Sequence, residues 1–561
     1  ITAVDGNAVS TTDGDVWMEA SANITVESIS AGTGGVYLKA GTDILDGDGD
    51  NDITAADLIL EAGSGIGSSS DQLDITVTNL TATADADGMF IAESDAVVIG
   101  SMSVTANRVD TTASTATTDT AKTQEDLTTA NGGAVVLTAT GMTLGAGAAG
   151  NALTAAGAGN VLLSATAADM DINANVDAGS GHITLLATSG TLTQDADVIT
   201  TLTGTIDAEA SAITMNDAKS ASTGSGNIRY KATNALTIGD ISTSGDVSLI
   251  AADISDSGTT DTDVSADELR INVTGTGGVG TSSNHFETTV ATLSADVKTD
   301  GLFITEADNL TIDKLNAIAV NRIGTDGTVE STQTDAAQED LTSIGALVLS
   351  LTSGSLTVNG GDDTAGISSA GETLLKAAGS GNGIILDASI ATSSGNLSLD
   401  AADGILLNAD GDISLSTSAK TIDMKAGGDI TAADGNAVST TDGDVWMEAG
   451  ANVTVESISA GTGGVYLKAA TDIIDGDGDN DITAADLILQ AGSGIGSTSD
   501  QLDITVTNLT AAADSDGIFI AESDGVVIGS MSVTANRVDT TASTATTDTS
   551  KTQEDLTTAN D

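Results

Sequence analysis

The most regular feature of the chain is a short phrase in which a Gly or Asp turn is followed by apolar, variable, apolar and variable residues and then Ala. It reads GDVWMEA, GGVYLKA, GNVLLSA, GDVSLIA and GNLSLDA at successive places in the sequence. An apolar residue at every second position is typical of a β-strand with one buried face. Shorter alternating segments, such as NITVESISA and NALTIGDIS, follow some of these phrases. The pattern therefore predicts three short strands in each repeating coil.

The spacing of the phrases predicts the fold class. Phrases that start at Val16, Val36 and Leu58 are separated by about 20 residues. A coil of this size cannot bury its apolar face alone and does so by stacking on its neighbours. We expect an all-β, right-handed parallel β-helix (β-solenoid) with coils of about 20–22 residues and inserted Thr/Asp-rich loops. A string of β-sandwich domains is the alternative, but sandwiches have longer strands and need no phrase at this spacing.

Two levels of longer repeat organise the chain. Residues 1–131 align with 430–560 at a constant offset of 429, and 12 of these positions differ. A weaker repeat lies at about half that offset, where GMFIAESDAVVIG is matched by GLFITEADNLTID. We therefore divide the sequence into solenoid module A (1–213), solenoid module B (214–429) and the start of the next copy of module A (430–561). We expect this to be a window of a longer repeat array.

Composition excludes several classes of partner. The formal net charge is -65, from 16 basic and 81 acidic side chains. So few cations cannot build the basic patch that nucleic acid or an anionic membrane surface requires. No apolar stretch is long enough for a transmembrane helix, so we expect no membrane insertion. The chain has no Cys, which excludes disulfides and thiolate metal sites, and no Pro, so its turns depend on Gly, Asp and Asn.

One acidic turn has the spacing of a metal loop. DGDGDNDITAADLIL begins at Asp46 and returns at Asp475. Its carboxylates resemble those of a dockerin-type EF-hand loop, although Asn51 replaces the usual Gly and a β phrase follows in place of a helix. Alternate carboxylates on a tight turn can converge on one hard cation. We expect calcium at two sets of ligands, namely Asp46, Asp48, Asp50, Asp52 and Asp57, and Asp475, Asp477, Asp479, Asp481 and Asp486. A solvated acidic turn is the alternative. The related turn DSGTTDTDVSADEL, which begins at Asp256, lacks the regular spacing, and we expect it to bind weakly or not at all.

No catalytic constellation stands out. His182 and His285 lie far apart in unlike contexts, with no nucleophile or second histidine at metal-site spacing. Acidic pairs are too frequent for a dyad to be distinguished, and nearly every feature is duplicated, whereas an active site is usually unique. We expect no enzymatic activity and no catalytic residues.

A long polar loop recurs three times. TANRVDTTASTATTDTAKTQEDLTT begins at Thr105 and recurs in altered form, with an arginine at the same place each time: Arg108, Arg322 and Arg537. We expect an ordered flap in which this arginine pairs with Asp126, Asp340 or Asp555.

The middle position of each phrase forms an apolar series. We expect these side chains to point away from the core and to form an assembly face for other copies of the chain. The alternatives are that exposed sheets simply favour such residues, or that the flap folds over them. The series consists of Trp17, Tyr37, Ile59, Phe90, Trp446, Tyr466, Ile488 and Phe519.

The phrases GMFIAESDAVVIG and GLFITEADNLTID, with the turns GSGIGSSSDQLDI and GTGGVGTSSNHFE, resemble large bacterial surface proteins related to filamentous haemagglutinin. The resemblance covers the whole sequence and implies a secreted β-helical stalk used in adhesion or matrix building. It transfers no functional residue, and the sequence shows no N-terminal secretion domain. We expect a structural stalk segment of a long extracellular fibre or matrix filament at the cell surface, associating with other copies end-to-end or laterally. A calcium-dependent adhesin stalk and a β-helical polysaccharide-active enzyme are the alternatives.

Overall fold

The computed structural model describes residues 1–3, 6–116, 120–145, 150–546 and 549–559. It is an all-β solenoid of about 22 turns, in which parallel strands stack about 23 residues apart. The predicted all-β solenoid is therefore confirmed. The described residues contain no helix, and accordingly none that could cross a membrane.

Fifty-six of the described strands take part in parallel pairing. As far as residue 251 they are Val9–Ser10, Val16–Ala20, Ile24–Val26, Ile29–Ser30, Gly35–Ala40, Ile44–Asp46, Ile53–Ala62, Gly65–Ile66, Leu73–Ala84, Gly88–Glu93, Ala96–Ile99, Leu127–Thr129, Val135–Ala139, Gly141–Leu144, Asn151–Ala155, Val161–Ala165, Met170–Ile172, Asn175–Asp177, Ile183–Gln194, Val198–Ile199, Ile206–Met215, Ser220–Ser222, Ile228–Ala232, Ala235–Ile238, Asp240–Ser242 and Val247–Ala251. After residue 251 they are Asp253–Asp256, Val264–Val273, Phe286–Val297, Leu302–Glu306, Leu310–Ile312, Leu341–Ser343, Leu347–Leu351, Leu356–Val358, Ala365–Ser369, Thr373–Ala377, Ile384–Leu386, Ser389–Thr392, Leu397–Ala401, Ile405–Leu407, Ile413–Leu415, Ile422–Ala426, Ile430–Ala432, Val438–Thr440, Val445–Ala449, Val453–Val455, Ile458–Ser459, Gly464–Ala469, Ile473–Asp475, Ile482–Ala491, Gly494–Ile495, Leu502–Ala513, Gly517–Ile518, Ile520–Glu522, Val527–Ile528 and Leu556–Thr558.

The chain forms two compact units. The first consists of 1–251, 265–267 and 317–336, and the second of 252–264, 268–316 and 337–561. Each is a stack of parallel strands with its own apolar interior.

Stacking places like residues on like in successive turns. In the first unit Val16 pairs with Val36, and Val36 with Leu58. All three side chains are buried, and each buried aliphatic side chain contributes about 1.5–3 kcal/mol relative to exposure. The second unit repeats this register from Val445 through Val465. The inward positions of the phrase therefore form the core, as the alternation predicted.

Polar side chains in the loops form hydrogen bonds between successive turns of the solenoid. The Asp15 carboxylate accepts a hydrogen bond from the Gly35 N–H at 2.8 Å, and Asn160 accepts one from the His182 N–H at 3.0 Å. Each side chain thereby satisfies a backbone donor about one turn further along the chain. Close stacking also requires glycine at Gly32, which has a φ of 58° and where a Cβ would lie 1.8 Å from the Thr12 carbonyl oxygen.

In the described part of the chain, three hairpins, here called the first, second and third flaps, leave the stack (102–124, 318–335 and 531–553). Their antiparallel strands are Met102–Thr105 with Ala121–Gln124, Arg108–Val109 with Thr115–Ala116, Ile318–Ile323 with Val329–Asp335, Met531–Thr534 with Ser550–Gln553, and Arg537–Val538 with Thr544–Ala545. The expectation of an ordered flap is confirmed for these strands, whereas parts of that prediction, 117–119 and 547–548, fall outside the described residues.

The expectation that the apolar series faces solvent is wrong. Six members are buried, namely Tyr37, Ile59, Phe90, Trp446, Tyr466 and Ile488, and two are half-buried, namely Trp17 and Phe519. Met102 and Val104 of the first flap pack on Tyr37 and Ile59. Met531 and Val533 of the third flap pack in the same way on Trp446 of the later copy. A flap strand removes this apolar surface from water, so the series is an interior layer.

The predicted acidic partners of the flap arginines are also wrong. Arg322 pairs with Asp207 and Glu209, at 2.7 Å to each. Arg537 pairs with Asp423 at 2.6 Å. The tip of the flap lies over turns that come earlier in the sequence, so its arginine meets acids from those turns.

Candidate metal centres

The turn that begins at Asp46 is folded by its own carboxylates. The Asp48 N–H donates to the Asp46 carboxylate at 2.8 Å, and the Asp50 N–H donates to the Asp48 carboxylate at 2.9 Å. These two Asx turns curl the chain tightly before the strand Ile53–Ala62 begins. As a result, one carboxylate oxygen from each of Asp46, Asp48 and Asp52 lies within 4.8 Å of the others.

Asp52 is the most unusual member of this group, because its side chain is 0% exposed. One carboxylate oxygen, Oδ2, accepts a hydrogen bond from the Asp74 N–H at 3.0 Å. Among the described residues, the other oxygen, Oδ1, has no hydrogen-bond partner, and neither has Asp46 Oδ2. A buried oxygen without a partner costs about 1–3 kcal/mol, and more when it is charged. A cation between these oxygens would offset that cost.

The electrostatics of the turn follow from burial and crowding. Burial raises the pKa of Asp52 to about 8, and the nearby Asp46 charge adds to the shift. Burial also raises the pKa of Asp46 to about 6, and the charges of Asp71 and Asp74 add to it. Without a cation, ionisation of Asp52 is therefore disfavoured at neutral pH.

The later copy has the same arrangement. Asp475, Asp477 and Asp481 each place an oxygen within 4.8 Å of the others. Asp481 is 0% exposed, and its Oδ1 has no hydrogen-bond partner in the part of the chain that the structure describes. Burial raises the pKa of Asp481 to about 8. The Asp503 N–H donates to the other oxygen, Oδ2, at 2.7 Å, as Asp74 does in the first copy.

Two predicted ligands of each set lie outside these clusters. The Asp57 carboxylate accepts a hydrogen bond from Asn79 Nδ2 at 2.7 Å, and Asp486 accepts one from Asn508 at the same distance. Asp50 and Asp479 are exposed at the tips of the turns. The structure thus brings together the first, third and seventh residues of the turn, whereas the EF-hand spacing had suggested the first, third, fifth and twelfth. Calcium binding itself stays a prediction.

Sequence spacing within one turn misses acids that successive turns bring together. Asp434, Glu456 and Asp477 form one such cluster, in which Glu456 Oε2 is buried and no described residue forms a hydrogen bond with it. Asp477 belongs to two clusters as a result. The only signal in the sequence is the interval of 21 or 22 residues between successive members, which is close to one turn of the solenoid.

Module B contains a further acidic cluster, at the turn for which the irregular spacing predicted weak calcium binding or none. Asp256, Asp263 and Glu287 place oxygens within 4.8 Å of one another. Burial raises the pKa of Asp263 to about 10, and the hydrogen bond that protonated Asp263 donates to Asp256 contributes. Asp263 and Glu287 are 24 residues apart and come from successive turns.

Comparison with models of known protein families, with curated proteins and with solved structures found no match.

Proposed function

We propose that this chain is a structural segment of a long extracellular fibre or matrix filament, stabilised by calcium at its acidic turns and able to associate with other copies of itself. The proposal rests chiefly on the fully buried and half-unpartnered carboxylates of Asp52 and Asp481 at equivalent places in the repeat. A carboxylate in that position is costly without a counter-charge, and oxygen-only ligand sets suit calcium.

The rest of the molecule agrees with a structural role. A solenoid of stacked turns gains stability by adding turns, so it is suited to spanning distance. The net charge of -65 keeps copies apart at low ionic strength, and divalent cations would reduce that repulsion. The proposal is therefore that of an acidic stalk that is secreted to the cell surface, binds calcium and associates with other copies of itself.

Calcium titration of the full chain by isothermal calorimetry tests the proposal. We expect binding to the parent chain and loss of the tighter sites in Asp52→Asn/Asp481→Asn. The matched control is Asp57→Asn/Asp486→Asn, which removes the same number of charges from acids that donate no oxygen to the clusters. Binding that survives the first variant and is lost in the control would contradict this ligand set, and no binding to the parent would contradict the proposed role of calcium.

A further inference from the structure

Asp477 belongs to two clusters of acids in the second unit, and only one of these clusters lies within a single acidic turn. Here Asp475, Asp477 and Asp481 are called the loop cluster, and Asp434, Glu456 and Asp477 the inter-turn cluster. In each cluster, one oxygen from every carboxylate lies within 4.8 Å of the others. The calcium ion of the proposed function lies in the loop cluster, which leaves Asp434 and Glu456 without a counter-ion.

Three successive turns of the solenoid assemble the inter-turn cluster. Ile430 pairs with Val453, and Val453 pairs with Ile473, in parallel register. Each of these three strands is followed within two residues by one acid of the cluster. Because strands in register end at the same edge of a parallel sheet, the three acids are stacked at one corner of the solenoid. Intervals of 22 and 21 residues separate them in the sequence.

Glu456 is the member of this cluster that points to a ligand. It is 8% exposed, and its Oε1 accepts a hydrogen bond from the Gly435 N–H at 3.0 Å, next to Asp434. Among the described residues, the other oxygen, Oε2, has no hydrogen-bond partner. Burial raises the pKa of Glu456, and the charges of Asp477 and Asp434 add to the shift. A buried carboxylate oxygen in these surroundings is costly unless a counter-charge lies beside it.

Gly476 leaves room for this carboxylate. A Cβ at Gly476 would lie 3.1 Å from Glu456 Oε2 and 2.5 Å from the carbonyl oxygen of Val455. The Gly476 N–H donates to that same carbonyl oxygen at 2.8 Å. A residue without a side chain therefore lets the loop that carries Asp477 approach Glu456 closely.

One divalent cation carries too little charge for both clusters. Together they contain five carboxylates, because Asp477 is shared. In the part of the chain that the structure describes, no lysine or arginine forms an ion pair with any of the five. A calcium ion in the loop cluster would leave three of the five negative charges without compensation. The shared carboxylate can serve two ions, since it has two oxygens and about four lone-pair sites.

We propose that the inter-turn cluster binds a second calcium ion through Asp434, Glu456 and Asp477, so that Asp477 bridges two ions and metal joins three successive turns of the solenoid. Water supplies the remaining ligands, because Asp434 is exposed and calcium takes about six to eight oxygens. The inference rests on the proposed function for the ion in the loop cluster. It extends that function, because the second ion connects turns of the solenoid instead of folding one loop. A proton held between Glu456 and Asp477 is the alternative.

Amide hydrogen exchange of the full chain in calcium and in EGTA tests the inference. Peptides that cover 433–437 report on the second ion, because they contain the Gly435 N–H that donates to Glu456. Peptides that cover 470–481 report on the ion in the loop cluster. Both differ in mass from their counterparts 429 positions earlier, since the sequence has Ala433 in place of Val and Ala470 in place of Gly.

Three variants separate the two ions. Glu456→Gln removes a ligand of the second ion and keeps an oxygen that can accept from the Gly435 N–H. Asp481→Asn removes a ligand of the ion in the loop cluster alone. The matched control is Glu448→Gln, which removes one charge from a side chain that belongs to neither cluster and pairs with Lys468.

In the parent, we expect both peptides to exchange at least about tenfold more slowly in calcium than in EGTA, since an ion that binds only the closed state disfavours opening. Glu456→Gln should abolish the calcium effect at 433–437 and retain the effect at 470–481. Asp481→Asn should have the reverse result, and Glu448→Gln should retain both effects.

Equal exchange at 433–437 with and without calcium in the parent would overturn the inference and favour the shared proton. A calcium effect at 433–437 that survives in Glu456→Gln would also overturn it, and so would one that disappears in Asp481→Asn, which would indicate a single ion. Exchange at 470–481 judges the ion of the proposed function separately, so the two failures are distinguishable. Should Glu456→Gln fail to fold, as judged by circular dichroism, Asp434→Asn removes another ligand of the second ion at an exposed side chain.

Discussion

Arg537 makes a two-pronged ion pair with Asp423, a residue 114 positions earlier in the sequence, through contacts of 2.6 and 2.9 Å. The Asp423 side chain is almost completely buried. The pair fastens a flap that starts in the later copy of module A onto a turn of module B. Arg322 and Asp207 make the equivalent connection 115 positions apart. The second and third flaps therefore each connect two successive modules, in addition to the stacking of their strands.

Replacing Arg537 should release the third flap from the turn that contains Asp423. In Arg537→Ala the buried Asp423 carboxylate loses its counter-charge, which we expect to cost about 2–3 kcal/mol. Amide hydrogen exchange of residues 531–545 measures the change as faster exchange. Arg108→Ala is the matched control, because Arg108 is the equivalent residue of the first flap and its side chain is 55% exposed. We expect this substitution to change the stability of its flap by less than about 0.5 kcal/mol. Equal effects of the two substitutions would contradict the docking contacts.

Replacing the buried carboxylates should have opposite effects with and without calcium. Asp52→Asn/Asp481→Asn removes two buried charges, so in EGTA at pH 8 the variant should melt at a higher temperature than the parent. In saturating calcium the parent should gain stability by mass action and the variant should not, which reverses their order. Differential scanning calorimetry of both chains in both conditions checks this. An unchanged order of melting temperatures would refute the ligand role of these two residues.

The cation-free chain should lose stability as the pH rises. The pKa of Asp52 and that of Asp481 are raised to about 8 in the folded chain, from ordinary values near 4. The folded state therefore holds more protons than the unfolded state between about pH 4 and pH 8, and this stabilisation is lost as the pH rises through 8. Melting temperatures in EGTA should fall from pH 5 to pH 8.5. Calcium binds the ionised form, so the fall should be much smaller in its presence. A rise of melting temperature with pH in EGTA would contradict this assignment.

Acidic pH should weaken the contacts that hold the second flap on the turns beneath it. His182 Nδ1 accepts a hydrogen bond from the Thr205 N–H at 3.0 Å, and Nε2 lies 3.2 Å from the Asn321 amide nitrogen. Burial lowers the pKa of His182 below its ordinary value near 6.5. The contribution of neutral His182 is therefore present above pH 6.5 and is lost as the pH falls through the folded-state pKa. Hydrogen exchange of residues 318–335 should accelerate between pH 7 and pH 5, after correction for the intrinsic rate.

The control for that prediction is His182→Asn, because Asn396 occupies the equivalent position beside Thr421 and accepts from its N–H at 2.9 Å. This variant should retain the flap and lose the acceleration in acid. The same acceleration in His182→Asn would show that another group is responsible.

The fold could be predicted from the sequence because the solenoid is a local pattern repeated many times. The interval from Val16 to Val36 to Leu58 is visible directly, and strand pairing follows it. Contacts between a flap and solenoid turns that are far away in the sequence are not visible in this way. The flap was recognisable from its polar composition, but the partner of Arg322 depends on which turn lies beneath the flap, and neither period nor composition specifies that turn. Asp126, Asp340 and Asp555 are near in sequence and were the wrong choice for this reason.

The acidic turns show the same limit on a smaller scale. Alternation along one loop identified Asp46, Asp48 and Asp52 but also included the exposed Asp50. The EF-hand spacing added Asp57, whose side chain accepts a hydrogen bond from Asn79 one turn further on. The influence of Asp74 on the cluster arises from stacking at an interval of 22 residues after Asp52. A search for acids at the coil interval, in addition to alternation within a loop, would have identified Asp74 and the cluster that contains Asp263.

Anomalous diffraction from crystals grown with calcium, and from matched crystals soaked with terbium, tests the central claim most directly. The account predicts one anomalous peak among the carboxylates of Asp46, Asp48 and Asp52, and a second among those of Asp475, Asp477 and Asp481, each within about 2.3–2.6 Å of its oxygen ligands when calcium is bound. The absence of both peaks, or peaks at Asp50 and Asp57 that leave Asp52 Oδ1 without a partner, would contradict it.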